Sequence, residues 1–182
     1  MKRRILFDYG VVVVVAVVVA LLAQAFLIKP YRIPSESMAA TLVPQDRVLV
    51  NRVVYHLHDP RRGDVVVLDS AAVGRVLIKR VVGLPGETLS LRAGAVYVDG
   101  RRLAEPYVAR LGGEAEPTEP FLGTGRPWSL ERPYTVPAGH YFLMGDHRMV
   151  SDDSRDWGPA PRREIVGLAF LTYWPLSRVH GL

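Results

Sequence analysis

An almost unbroken apolar run near the N-terminus constrains this chain more than any other feature. Residues 9–28 read YGVVVVVAVVVALLAQAFLI, and only Gln24 is strongly polar. Twenty residues at a helical rise span about 30 Å, the thickness of a bilayer's hydrocarbon core. Valine is a mediocre helix former in water. In lipid the backbone has no other hydrogen-bond partner, so helix wins. The run predicts a transmembrane helix over 9–28, with a basic cytoplasmic N-terminus over 1–8 and an exported domain over 29–182. Lys2, Arg3 and Arg4 set that orientation, against an opposing pull from Lys29 and Arg32. A cleavable secretion signal is the rival reading, because Ala23-Gln24-Ala25 has the pattern of a cleavage site. The run exceeds the about 7–15 apolar residues of a signal core and continues through Phe26, Leu27 and Ile28, which favours an uncleaved anchor. Either reading exports the remainder of the chain.

The absence of cysteine excludes disulfides and thiolate chemistry. The formal net charge is +5, carried by 20 Arg against 3 Lys. The arginines are scattered among acids rather than gathered into a stripe, which argues against a nucleic-acid partner and favours anionic lipid as the neighbour. Lys2 and Lys29 flank the apolar run, so Lys79 is the one lysine in the body of the protein.

Beyond the apolar run the pattern changes to short segments of two-residue period. RVLVNRVVYHL (47–57), GDVVVLDS (63–70), GRVLIKRVVGL (74–84), AVYVDGRRL (95–103), HYFLMGD (140–146) and EIVGLAFLTYW (164–174) all read as strands. Asp99-Gly100 marks a tight hairpin and Pro85-Gly86 a turn. Residues 104–134, rich in Pro, Gly and Glu, read as a loop-rich insertion. The expected fold is mainly β, an antiparallel sheet domain on one N-terminal transmembrane helix.

Within VLIKRVV both alternating faces are apolar. Leu77, Lys79 and Val81 share one, while Ile78, Arg80 and Val82 share the other. Such a strand is buried on both sides. Arg80 then needs a carboxylate, since a buried unpaired guanidinium is costly. Lys79 can instead shed its proton. A depression of about 3 pKa units leaves roughly a third of its amines neutral at pH 7, and a neutral amine beside a hydroxyl is a general base. The alternative is a lysine whose ammonium snorkels to the sheet edge.

IPSESM (33–38) follows the apolar run closely. Pro34 disfavours helical geometry at Ile33. On an extended chain Ser35 and Ser37 point to one side, so one hydroxyl can attack while the other donates to a developing oxyanion. The alternative is that either serine caps a short helix at MAATL. A third polar segment, GDHRMVSDDSRDWG (145–158), is either a solvated turn or the support for a catalytic pair.

PSESM, LIKRVVGLPGE and GDHRMVSDDSRDWG, in this order, resemble the bacterial type I signal peptidases, membrane-bound serine proteases with a Ser-Lys dyad. The resemblance runs from the anchor to the YWP near the C-terminus. It implies Ser37 as nucleophile, Lys79 as general base, and an oxyanion hole made by the Ser37 backbone N–H and the Ser35 hydroxyl. It further implies that Ser151 hydrogen-bonds and orients the Lys79 amine, that Asp153 and Arg155 form a supporting ion pair, and that Asp146 is the partner of Arg80. Ile33, Pro34, Leu77 and Ile78 would line shallow pockets for small substrate side chains. The implied partners are signal peptides of exported preproteins, the lipid bilayer and the nearby translocation machinery. The implied location is the cell membrane, single-pass, with the catalytic domain on the extracytoplasmic side and an apolar patch near the site facing lipid. The resemblance implies no metal or other cofactor, and no Cys/His cluster is present to hold one.

One position departs from the family pattern in a way that bears on chemistry. His147 stands where the family usually has asparagine, and Met149 and Val150 stand where it has polar residues. A Ser37-His147-Asp146 triad is therefore a second arrangement, although Asp146 and His147 are adjacent and point apart on an extended chain, which favours a structural histidine or one that adjusts the loop's response to pH. Two functions of other kinds compete: a self-cleaving Ser-Lys regulator, and a membrane-tethered β domain that binds a partner through 104–134. The anchor and the lack of a DNA-binding domain disfavour the first.

Overall fold

The computed structural model describes Tyr9, residues 11–19 and residues 27–182. The basic segment 1–8 and much of the expected 9–28 span lie outside the described residues. Within that span residues 11–19 are helical, and Ile28 already opens the first strand. Among the described residues no helix is long and apolar enough to cross a membrane.

The strands in chain order are β1 (Ile28–Arg32), β2 (Arg47–Asn51), β3 (Val65–Ser70), β4 (Arg75–Gly83), β5 (Thr88–Arg92), β6 (Ala95–Val98) and β7 (Arg101–Arg102). They continue with β8 (Arg110–Leu111), β9 (Glu114–Ala115), β10 (Tyr134–Thr135), β11 (His140–Met144), β12 (Ala160–Pro161), β13 (Ile165–Trp174) and β14 (His180–Gly181). The main sheet runs β1-β2-β13-β3-β4-β11-β12, with β14 also pairing β13; a second sheet runs β10-β5-β6-β7, and β8-β9 is a separate hairpin. Every pairing is antiparallel.

The central strands are apolar on both faces because both faces are covered. Val65 and Val67 of β3 enter a cluster with Ile33, Met38, Leu42, Val48 and Val50. The alternate residues Val66 and Leu68 enter a second cluster with Tyr55, Val81, Tyr141 and Leu143. Val82, Phe142 and Met144 belong to a third, shared with Leu89, Val96 and Val98 of the smaller sheet. The two sheets meet closely at Gly83, where a Cβ would come within 2.9 Å of both Leu89 and Phe142.

Three local readings need correction. The expected strand over 47–57 ends at Asn51, whose Oδ1 accepts the N–H groups of Val53 and Val54 and opens a helical turn at Val54–Leu57. That side-chain competition with the ladder is a general property of asparagine. β1 was not anticipated; it forms the sheet edge, a position that tolerates Pro30. β5 was also not anticipated, and it pairs with β6 and β10. The Asp99-Gly100 hairpin forms as expected, with φ of 48° and 77° at its two residues, both in the left-handed region that glycine and aspartate tolerate.

Candidate active site

Three segments converge on one end of β4. The first is the turn after β1. Neither alternative for IPSESM describes it fully, since residues 35–41 form consecutive bends and turns rather than a helix or a strand. Ala39 N–H donates to the Glu36 carbonyl at 2.8 Å and Leu42 N–H to the Met38 carbonyl at 2.8 Å, while Met38 and Leu42 anchor the turn in the core. Ser35 and Ser37 nevertheless share a side, with hydroxyl oxygens 3.4 Å apart.

The second segment is β4 itself. Lys79 is 2% exposed, and its Nζ lies 2.7 Å from Ser37 Oγ, so the two groups meet across 42 positions of sequence. Burial pulls the amine down to about 8, against the Asp153 and Asp152 carboxylates, which favour its charge. At that value about one amine in ten is neutral at pH 7, compared with one in a few thousand for a solvated lysine. The snorkelling alternative is thus overturned.

Beside Lys79, Arg80 makes the carboxylate pair its burial demands. Nε and Nη2 bind Asp146 Oδ1 and Oδ2 at 2.8 and 2.6 Å, Nη1 donates to the Gly63 carbonyl at 2.7 Å, and the guanidinium carbon sits 4.1 Å from the Tyr107 ring centroid. Thr41 Oγ1 donates to Asp146 at 2.5 Å, which fastens the end of the Ser37 turn to the same pair. Asp146 is fully buried.

The third segment is the loop after β11. Asp153 and Arg155 form a buried bidentate pair with both contacts at 2.9 Å, and Asp153 also accepts the Gly145 N–H at 3.1 Å. Burial would raise the Asp153 carboxyl; the Arg155 charge and these hydrogen bonds outweigh it and hold the group below its ordinary value. Ser151 differs from expectation. Its hydroxyl is buried but has no hydrogen-bond partner among the described residues, so the expected bond to Lys79 is absent. The hydroxyl instead lies against Gly145. Gly145 is required by space: a Cβ there would come within 2.2 Å of Ser151 Oγ and 2.3 Å of the Ser37 carbonyl oxygen.

His147 does not complete a triad. Asp146 is committed to Arg80 and Thr41, while the imidazole faces Glu116 and the Glu36 carbonyl. The support of Arg148, and the contacts of Arg155 and Asp146 with the 104–134 insertion, were not expected from the sequence because the partners lie in that insertion. Arg148, 2% exposed, pairs with Glu105 and donates to Thr118 Oγ1 at 2.5 Å and to the Gly145 carbonyl at 3.0 Å. Arg155 Nη1 donates to the Glu119 carbonyl at 3.0 Å, and Ala109 N–H donates to the Asp146 carbonyl at 2.9 Å. The insertion therefore packs against the loop that carries Asp146, Arg148 and Arg155. The clustering of Arg148 and Arg155 in an otherwise acidic loop was the available signal.

A cleft of about 550 Å³ opens over this constellation. Ile33, Pro34, Leu77 and Ile78 all line it together with Ser35, Ser37 and Lys79. Arg75 and Asp152 pair at 2.9 Å on its rim, and the exposed Val76 and Val150 stand beside them. β11 pairs with β4 only from Arg80 to Gly83, so residues 75–79 are laddered to β3 on one side and face the cleft on the other.

The model for the family described as "Signal peptidase, peptidase S26" matches residues 6–174. A probable signal peptidase I-1 from Synechocystis sp. is 39% identical over 172 residues, covering 90% of this chain and 80% of that protein. A signal peptidase I from Bacillus licheniformis is 34% identical over 179 residues, covering 98% of this chain and 94% of the relative. The crystal structure of a signal peptidase I from Enterococcus faecalis superposes with a TM-score of 0.51 at 34% identity, covering 61% of this chain and 97% of that one. With a family match that spans nearly its whole length and a buried lysine against a serine in a strand-edged cleft, this chain belongs to the signal peptidase family, peptidase S26.

Proposed function

We propose that this protein is a membrane-anchored signal peptidase I, a serine endopeptidase that removes N-terminal signal peptides from exported preproteins. The observation that carries the reading is the Lys79 amine, dry and 2.7 Å from Ser37 Oγ at the floor of the cleft. Neutral Lys79 accepts the Ser37 proton as Oγ bonds to the scissile carbonyl carbon. The developing oxyanion is held by the Ser37 N–H and the Ser35 hydroxyl. As the C–N bond breaks, Lys79 returns the proton to the departing amine of the mature protein, leaving an ester on Ser37. A water then gives a proton to Lys79 and attacks the ester, and Lys79 reprotonates Ser37 as the signal peptide leaves.

The substrate is an extended segment added along the open edge of β4 at residues 75–79, held by main-chain hydrogen bonds. Small side chains at the first and third positions before the bond fit the shallow walls formed by Ile33, Pro34, Leu77 and Ile78. The proposed anchor is the 9–28 segment. Its described part, 11–19, is a valine-rich helix with exposed side chains, which suits lipid rather than water. Ser37 follows Ile28 by nine residues, at most about 30 Å of extended chain, so the cleft stays close to the membrane surface where signal peptides emerge. The exposed Val76, Met149 and Val150 beside the cleft are read as its lipid-facing patch. This topology puts the catalytic domain on the extracytoplasmic side, near the translocation machinery.

The deciding experiment is cleavage of a detergent-solubilised model preprotein by wild type, Ser37→Ala and Lys79→Ala. Both variants are expected to stay folded and lose cleavage. Retained cleavage in either one removes the dyad.

A further inference from the structure

His147 joins three parts of the site. Its backbone N–H donates to the Ser37 carbonyl at 3.1 Å. Its Nδ1 lies 3.3 Å from the Glu36 carbonyl oxygen, and its Nε2 lies 3.1 Å from Glu116 Oε1. Glu116 is itself buried, and its other oxygen accepts the Met149 N–H at 3.4 Å. A carbonyl can only accept, so Nδ1 carries the hydrogen in the contact with Glu36; an ionised Glu116 also only accepts, so the two contacts are hydrogen bonds together when both ring nitrogens carry hydrogen. That carbonyl has two lone pairs, and the second is taken by the Ala39 N–H.

The Glu36 C=O and the Ser37 N–H are the two ends of one peptide unit. The unit is planar and trans, so its C=O and N–H point in opposite directions. A donor that holds the oxygen on one side sets the aim of the N–H on the other, and it polarises the amide as well. We propose that His147 is a positioning residue that aims the Ser37 N–H at the oxyanion through the Glu36–Ser37 peptide, with Glu116 locking the ring from behind. The imidazole takes no part in proton transfer. The inference rests on the peptidase reading, in which the Ser37 N–H is an oxyanion donor. It gives the 104–134 insertion a further task, through Glu116, besides its packing against the loop after β11.

The test compares the full-length wild type in detergent with His147→Asn and His147→Leu on a model preprotein. The asparagine Nδ2 stands as many bonds from Cα as the imidazole Nδ1, so it can donate to the same carbonyl. Leucine fills the space without a donor. Loss of a whole oxyanion donor costs about a hundred- to a thousandfold in rate; a misaimed one costs less. The leucine variant is expected to lose roughly ten- to a hundredfold in kcat with KM nearly unchanged, and asparagine is expected to restore most of it. Because leucine strands the Glu116 carboxylate, His147→Leu combined with Glu116→Gln repeats the measurement in a protein without that buried charge. Wild-type kcat in the leucine variants, a loss confined to KM, or no advantage of asparagine over leucine would each overturn the proposal. A wild type that fails to cleave at all would overturn the peptidase reading beneath it.

Discussion

Lys79 is worth more to the reaction than to the fold, and the cost can be worked out. Its amine stands at about 8 in the folded protein and near 10.5 when solvated. The 2.5-unit depression corresponds to about 3 kcal/mol against the folded state wherever the unfolded chain carries the proton. The sign follows from proton counts. Between about pH 8 and 10.5 the unfolded chain binds a proton that the folded one has lost, so stability rises with pH across that window. Below about pH 8 the full penalty is present; above about 10.5 it is gone. Lys79→Met keeps the volume and removes the charge. It also removes the bond to Ser37, which contributes about 1 kcal/mol. The variant should be inactive yet about 2 kcal/mol more stable at neutral pH, with the difference shrinking as pH rises toward 10.5. Urea unfolding of both proteins in the same detergent, followed by tryptophan fluorescence at pH 7 and pH 10, measures this. A Lys79→Met protein that is less stable than wild type at pH 7, by an amount that does not change with pH, would refute the claim that this amine is held against its preference.

Two further outcomes follow from the same geometry. The neutral fraction of Lys79 grows from about one in ten at pH 7 to about nine in ten at pH 9, so kcat/KM on a quenched peptide should climb about tenfold across that interval; a flat profile would remove neutral Lys79 as the base. Arg80→Ala leaves the fully buried Asp146 carboxylate without its bidentate partner and should cost about 3–5 kcal/mol in urea unfolding, while the folded fraction keeps most of its cleavage rate; wild-type stability would show that the pair is not buried in solution.

Much of the site was legible because its chemistry conflicts with its surroundings. A lysine and an arginine side by side in an apolar strand demand special treatment, and Arg80 could be expected to find a carboxylate before its identity was known. The Asp99-Gly100 turn was legible for a similar reason, since few residue pairs accept two positive φ angles. Ser151 misled because a buried hydroxyl near an amine has more than one neighbour to face, and the choice depends on distances that sequence does not encode. The 47–57 segment misled because β-type residues continue past Asn51, while one side-chain oxygen turns the backbone away. His147 was readable as a departure but not as a contact, because Glu116 comes from a segment without periodicity.

The sequence alone determined that the chain has a lipid-length apolar run, a β-rich remainder, and one body lysine on a strand that is apolar on both faces. These are local properties, set by periodicity and by the free energy of moving side chains out of water. The family resemblance named Ser37 and Asp146 as the partners of Lys79 and Arg80, but only the tertiary structure brought those pairs within bonding distance and packed the 104–134 insertion against the loop after β11. Those pairings join residues tens of positions apart. They follow from the order in which antiparallel strands lie in the sheet, and strand order is a property of the whole chain rather than of any one segment.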